Sequence, residues 1–316
     1  MGRRNNYAEA VLQFAKLNTV AQQREAVVRH VTKIPFVLHV PYKKYITMMT
    51  RPREDRLEFA RAIVRDAGEI TLEYFYDPAK YNVESKTDSS PVTLVDREVE
   101  QYLRGCIKKR FPQDAILGEE FSDQSGTSGF KWLLDPIDGT KSFIHGVPLY
   151  SVLVGIEQDG VSVVGVIGLP ALNEMIWAGN ETGAWHETFT RSREPKRAKV
   201  SDCRNIADAV FLTSEVLTYD KANRRGAYEE LEGRVSLTRT WGDAYGYFLV
   251  ATGRADIMVD PILSDWDAGP LMLILEEAGG KFTDWKGNRT IYGKEGIGTN
   301  GFLHEEVLQI LRQKKS

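Results

Sequence analysis

Apolar positions change their period along the chain, and the changes mark the elements. Leu57, Ala60, Ile63, Ala67 and Ile70 recur every three or four residues. That spacing predicts an amphipathic helix of about five turns, from the N-cap Asp55 to near residue 75. Residues 76–92 hold Pro78, Lys86, Asp88, Ser89, Ser90 and Pro91 and read as a loop. A second helix is predicted over 94–110, stopped by Pro112. Trp132-Leu133-Leu134 reads as a buried strand running into Asp135. From residue 150 the period falls to two. Segments 150–157 and 161–169 alternate, and Gln158-Asp159-Gly160 between them suits a hairpin turn. Segments 174–178 and 183–187 predict another antiparallel pair, and the polar, basic 188–208 reads as a loop between subdomains. Strands follow at 210–213 and 255–259. Helices follow at 245–252, from Asp267 to the glycines of Ala278-Gly279-Gly280, and at 303–312.

Mixed α and β with long antiparallel ribbons predicts an α/β body of stacked helix and sheet layers rather than a dinucleotide fold. The 316 residues suit a domain over 55–316, divided into subdomains at about 55–190 and 209–316. With 42% hydrophobic and 27% charged residues, disorder and coiled coil are excluded as descriptions of the whole. A net charge of −3 gives no electrostatic case for nucleic acid, and no apolar run reaches the length of a membrane span. Cys106 and Cys203 are too few for a zinc cluster or a disulfide framework, so the cytoplasm is expected. Residues 1–54 stand apart, because their Lys and Arg far outnumber their acids. Three readings of that extension stay open: a basic tail, an organellar transit peptide, or sequence upstream of a true start at Met48 or Met49.

The candidate chemistry concentrates at Asp135-Pro136-Ile137-Asp138-Gly139-Thr140. Two carboxylates at the end of an apolar strand can face one pocket. Pro136 stiffens the turn between them, and Gly139 allows a close backbone approach. The amides of Gly139, Thr140 and Lys141 would open a helix, and a helix N-terminus cradles phosphate. Acids beside a phosphate repel it unless cations intervene, and hard oxygen ligands point to Mg²⁺. Glu119 of Gly118-Glu119-Glu120 and Asp267 of Asp265-Trp266-Asp267 would complete a two- or three-metal carboxylate site with Asp135 and Asp138. The histidines (His30, His39, His145, His186, His304) match no metal spacing, which argues against zinc. Each piece alone has a plainer use. A lone Asp-x-x-Asp is more often structural, and a Glu-Glu pair is usually a solvated face.

Together and in this order, Gly118-Glu119-Glu120, the run from Trp132 to Thr140, and Asp265-Trp266-Asp267 resemble the inositol monophosphatase superfamily of Mg²⁺-dependent, lithium-sensitive phosphomonoesterases. The similarity spans about residues 55–312. It implies an αβαβα sandwich, hydrolysis of a small phosphate ester, and a homodimer. It assigns Glu119, Asp135 and the Ile137 carbonyl to one metal, Asp135, Asp138 and Asp267 to a second, and Glu119 to a third. It pairs Thr140 with Asp96 to orient the attacking water, puts Lys86 in a mobile loop, and gives the phosphate to the amides of Gly139 and Thr140. Cations ~3.5–4 Å apart would clamp both oxygens of an in-line displacement, with no phosphoenzyme. Thr140-Lys141-Ser142-Phe143-Ile144, Gly146-x-Pro148-Leu149 and Gly242-Asp243-Ala244-Tyr245-Gly246-Tyr247 resemble the histidinol-phosphate phosphatase branch, which places the chain in histidine biosynthesis. That substrate carries a protonated amine and an imidazole, so Asp243 and Asp260 are expected near it; a helix N-cap is an equal reading of Asp243. Inositol 1-phosphate and phosphoadenosine phosphate remain alternative substrates. A non-catalytic, RNA-associated family member is the alternative of a different class.

Overall fold

The computed structural model describes residues 42–80, 82–85, 91–189 and 194–312; Lys86 and the extension through residue 41 lie outside them. The chain divides into two compact units, Met1–Pro52 and Arg53–Ser316. Of the first, only residues 42–52 are described, and they are helical.

The first helix, α1 (Tyr42–Phe75), starts well before the expected cap at Asp55 and contains Pro52. A cap is worth about 1 kcal/mol. The glycine-free residues upstream carry the helix past a boundary of that size, although Pro52 forfeits one backbone hydrogen bond. The segment expected to be a loop holds a small hairpin, β1 (Val83–Ser85) with β2 (Pro91–Thr93). Next comes α2 (Leu94–Arg110), where predicted.

A seven-stranded sheet follows: β3 (Ala115–Gly118), β4 (Phe130–Asp138), β5 (Ser151–Gln158), β6 (Val161–Leu169), β7 (Glu174–Gly179), β8 (Gly183–Thr188) and β9 (Lys196–Arg197), in that spatial order. Only β3–β4 is parallel. Between β5 and β6, Asp159 and Gly160 take φ of 51° and 80°, as the predicted tight hairpin requires. The short helix α3 (Thr140–Ile144), five residues long, leaves the end of β4.

The second sheet has the order β11-β10-β12-β14-β13. Its strands are β10 (Val210–Leu212), β11 (Leu237–Arg239), β12 (Ile257–Asp260), β13 (Lys281–Thr283) and β14 (Gly296–Thr299). The helices among them are α4 (Leu217–Lys221), α5 (Arg225–Glu232), α6 (Ala244–Ala251), α7 (Asp265–Glu277) and α8 (His304–Arg312).

Three cores define the layers. On one face of the large sheet, Ile63, Val64 and Ala67 of α1 and Val95, Val99 and Leu103 of α2 cover Trp132, Leu134, Val152 and Val154. On its other face, Leu133, Leu153 and Ile167 meet Phe248 of α6 and Leu271 and Ile274 of α7, with Leu212 and Met258 of the small sheet beyond. The far face of that sheet (Phe211, Ile257, Val259) carries Tyr228 and Leu231 of α5 and Val307 and Leu308 of α8. The result is an α/β sandwich of five layers, αβαβα. In the middle layer α7 lies against nearly bare backbone: a Cβ on Gly155 or Gly165 would come within 3.0 or 2.6 Å of Pro270. That close approach fixes the start of α7 over the end of β4.

Candidate active site

In a regular strand, residues three apart point to opposite faces. Asp135 and Asp138 nevertheless share one, because β4 carries an extra residue. Asp135 pairs with Leu153 and Asp138 with Ser151, so Pro136 and Ile137 together oppose Val152. The bulge restores Asp138 to the face of Leu133 and Asp135, which looks toward α7, and turns Ile137 into the opposite core.

Three site carboxylates are anchored in the same way. Asp267 is the third residue of α7 and closes a capping box with Ser264, whose amide donates to Oδ2 at 3.1 Å. Its other oxygen, Oδ1, is buried and has no hydrogen-bond partner. Asp96 plays the same part in α2: Oδ2 accepts from the Thr93 amide and hydroxyl at 2.7 and 2.6 Å, while Oδ1 faces Thr140. Asp138 Oδ2 accepts from the Ala244 amide, the first of α6, and from Ser151 Oγ, both at 2.7 Å. Each acid thus ties one oxygen to a helix N-terminus, where the dipole favours negative charge.

One oxygen from each of Asp135, Asp138 and Asp267 lies within 4.8 Å of the others. Burial, then Glu119, Asp267 and Asp138, push the Asp135 carboxyl well above its ordinary range. Burial, then Asp243 and Asp267, do the same to Asp138. Asp267 rises to about 7, chiefly through burial, with Glu119 and Asp243 adding to it. All of these charged neighbours are acids. Such a cluster cannot ionise fully without a cation. An all-oxygen donor set with an orphaned buried oxygen therefore suits a hard divalent ion.

The other predicted residues fall as follows. Thr140 Oγ1 lies 3.2 Å from Asp96 Oδ1 and 3.1 Å from the Ile137 carbonyl oxygen, so the predicted Thr140–Asp96 pair is present. Burial raises Asp96 to about 6 despite the Thr93 bonds. Gly139 caps α3 at φ +81°, and a Cβ there would stand 2.9 Å from Asp243 Oδ2. Glu119 is half-buried, its amide bonded to the Leu134 carbonyl at 3.2 Å. Asp243 occupies the N-cap of α6 at φ +54° without a side-chain cap bond. Asp138 accepts from the amide of Ala244, the first residue of that helix, and the Asp243 carboxyl lies against Gly139. Asp260 sits deeper: it is buried, and its Oδ1 accepts from the Ser214 amide at 3.0 Å.

The sequence reading missed Glu100. Its buried carboxylate accepts from the amides of Glu120 and Phe121 at 2.7 and 3.3 Å and holds Arg104 Nε at 2.7 Å, so it pins the loop that bears Glu119. Gly118 makes room for it, since a Cβ there would overlap the Glu100 carboxylate. The available signal for the anchors was the capping-box spacing, Thr93-x-x-Asp96 and Ser264-x-x-Asp267.

Residues 53–316 match the model of the Inositol monophosphatase family. A histidinol-phosphatase of Chlorobaculum parvum is 39% identical over 76% of this chain and 90% of its own. One of Mycobacterium tuberculosis is 36% identical over 80% and 96%. Among solved structures, the extragenic suppressor protein suhB of Bartonella henselae superposes with a TM-score of 0.75 at 27% identity, covering 82% of this chain and 99% of that one. The Thermotoga maritima IMPase superposes at 0.71 and 32% identity, over 81% and 96%.

Proposed function

The chain belongs to the inositol monophosphatase family and is a phosphoric monoester hydrolase, and from that premise we propose that it converts L-histidinol phosphate to L-histidinol in histidine biosynthesis. The observation that carries the hydrolytic part is the convergence of Asp135, Asp138 and Asp267 beside the Thr140–Asp96 pair. The choice of ester is supported by the two histidinol-phosphatase relatives and by Asp243, an acid against Gly139 suited to a cationic substrate.

Glu119, Asp135, the Ile137 carbonyl, Asp138 and Asp267 would hold two or three Mg²⁺ ions. Bound there, the ions would lower the pKa of a water and neutralise charge developing on the phosphoryl and leaving oxygens. The chain's own residues do the aiming. The Thr140 hydroxyl donates to Asp96 and offers its lone pair to the attacking water, and Asp96, raised toward neutrality, takes the proton. The amides at Gly139 and Thr140 face the phosphate, and Lys86, outside the described residues, stays assigned to the loop before Asp96. Asp243 and Asp260 are assigned to the substrate side. Among the described residues no helix is long and apolar enough to cross a membrane. We place the enzyme in the cytoplasm, as a homodimer, which light scattering at twice the chain mass would check.

The test is phosphate release with Mg²⁺ from L-histidinol phosphate, myo-inositol 1-phosphate and phosphoadenosine phosphate, with Asp135→Asn as control. A clear preference for L-histidinol phosphate is expected. Preference for the inositol ester would keep the mechanism and replace the substrate.

A further inference from the structure

An ion pair lies next to the site residues Gly139 and Thr140. Lys141 Nζ lies 2.7 Å from Glu215 Oε2. Lys141 follows Thr140 in α3, and Glu215 follows Ser214, whose amide donates to Asp260 and whose hydroxyl accepts from the Asp243 amide at 2.8 Å. Asp243 in turn sets its carboxyl against Gly139. These contacts form a ring of three segments: 139–141, 213–215 and Asp243. The Lys141 side chain is 62% exposed and that of Glu215 33%. A pair this open to water contributes little to stability, so it can part without loss of the fold.

We infer that Glu215 determines specificity by exchanging Lys141 for the ammonium group of the substrate, which frees Lys141 to meet the phosphoryl oxygens. The inference rests on the L-histidinol phosphate reading. That ester carries its amine on the carbon next to the ester methylene, so a cation and an anion sit side by side. Lys141 and Glu215 present the complementary charges, also side by side, two residues from Gly139 and one from Ser214. Each side chain finds a substrate partner when the pair opens. A polyol phosphate offers Glu215 only neutral hydroxyl donors, and opening the pair leaves the charge of that carboxylate without a cation to match it.

Kinetics with L-histidinol phosphate and its N-acetyl derivative test this. In the unaltered protein acetylation lowers kcat/KM by roughly 10- to 100-fold, the scale of a charged hydrogen bond. Glu215→Gln lowers kcat/KM for L-histidinol phosphate about tenfold, mainly through KM, and largely erases the acetylation penalty. A pair that merely straps two loops together would be restored in the doubly swapped variant Lys141→Glu, Glu215→Lys. Here the swap stays at least as impaired as Glu215→Gln, because both charges then oppose the substrate's own. Full activity in the swapped variant, or an acetylation penalty that survives Glu215→Gln, overturns the inference. Efficient cleavage of both esters by the unaltered protein also overturns it while leaving the substrate reading intact. Cleavage of myo-inositol 1-phosphate alone removes the substrate reading and the inference with it.

Discussion

β4 runs between two groups of buried acids that the fold treats in opposite ways. At its start lies Asp114, which accepts both forks of Arg56 at 2.8 Å, Ser128 Oγ at 2.6 Å and Trp132 Nε1 at 2.8 Å. The Arg56 guanidinium is itself sandwiched between Phe111 and Phe130, 4.3 and 3.7 Å from the ring centres. Burial alone would raise the Asp114 carboxyl, but these donors hold it below its ordinary range. At the other end Asp135, Asp138 and Asp267 face one another with acids for neighbours and rise. The chain can satisfy a buried carboxylate completely where it needs one for structure. The unmatched charge at the far end is therefore a property of the site, and a cation is what completes it.

Removing one acid from each end should give opposite results. Asp135→Asn is expected to lower Mg²⁺-dependent kcat/KM at least ~1000-fold and to raise the metal-free melting temperature, because a repelling charge is lost. A metal-free protein that melts lower would contradict the picture of unrelieved repulsion. Asp114→Asn leaves Arg56 buried without its carboxylate and should cost about 3–5 kcal/mol in urea unfolding. The folded fraction should keep its activity, and a loss of turnover without a loss of stability would break the contrast.

Asp96 stands between the two extremes, tied by Thr93 yet raised to about 6. Thr140→Val should lower kcat by roughly 10- to 100-fold with little change in KM, and Thr140→Ser should recover most of it. Full activity in Thr140→Val with loss in Thr140→Ser would mean that the methyl packing matters rather than the hydroxyl. The smallest effect is in the pH dependence of melting. The raised site acids contribute stability that is present below their unfolded values near pH 4 and is lost as pH rises through about 7 for Asp267. Metal-free protein should therefore melt lower at pH 8 than at pH 6, and Mg²⁺ should flatten that slope. Asp114 acts in the other window: its contribution is present above the unfolded value and lost as pH falls through the lower folded one.

The acids themselves were legible, because Asp135, Asp138 and Asp267 stand next to apolar runs that locate a strand end and a helix start. The reason they converge was not. An extra residue in β4 is invisible to a period of two, and Gly155 and Gly165 look like weak strand positions until Pro270 is seen against them. Stacked helix and sheet layers followed from the ribbons and their five-layer order from the family resemblance, whereas α4, α5 and β11 were missed as short, polar segments whose pairing is decided by distant strands. Asp243 shows the limit in a single residue. Its position at a helix start was readable, but its carboxyl caps no amide there, and the first amide of the helix is held by Asp138, far away in sequence.

The extra residue in β4 also has a hereditary consequence. Deleting either Pro136 or Ile137 would leave a more regular ladder in which Asp135 and Asp138, then two residues apart, keep their shared face, while the bulge that exposes the Ile137 backbone is lost. Such a change would regularise the sheet and keep both acids while altering the turn between them, and folding assays alone would not register that difference. Hydrogen exchange offers a fingerprint of the irregularity. The amides beside Pro136 should open faster than those of Trp132 to Leu134 in the same strand, and a repaired ladder would abolish that difference.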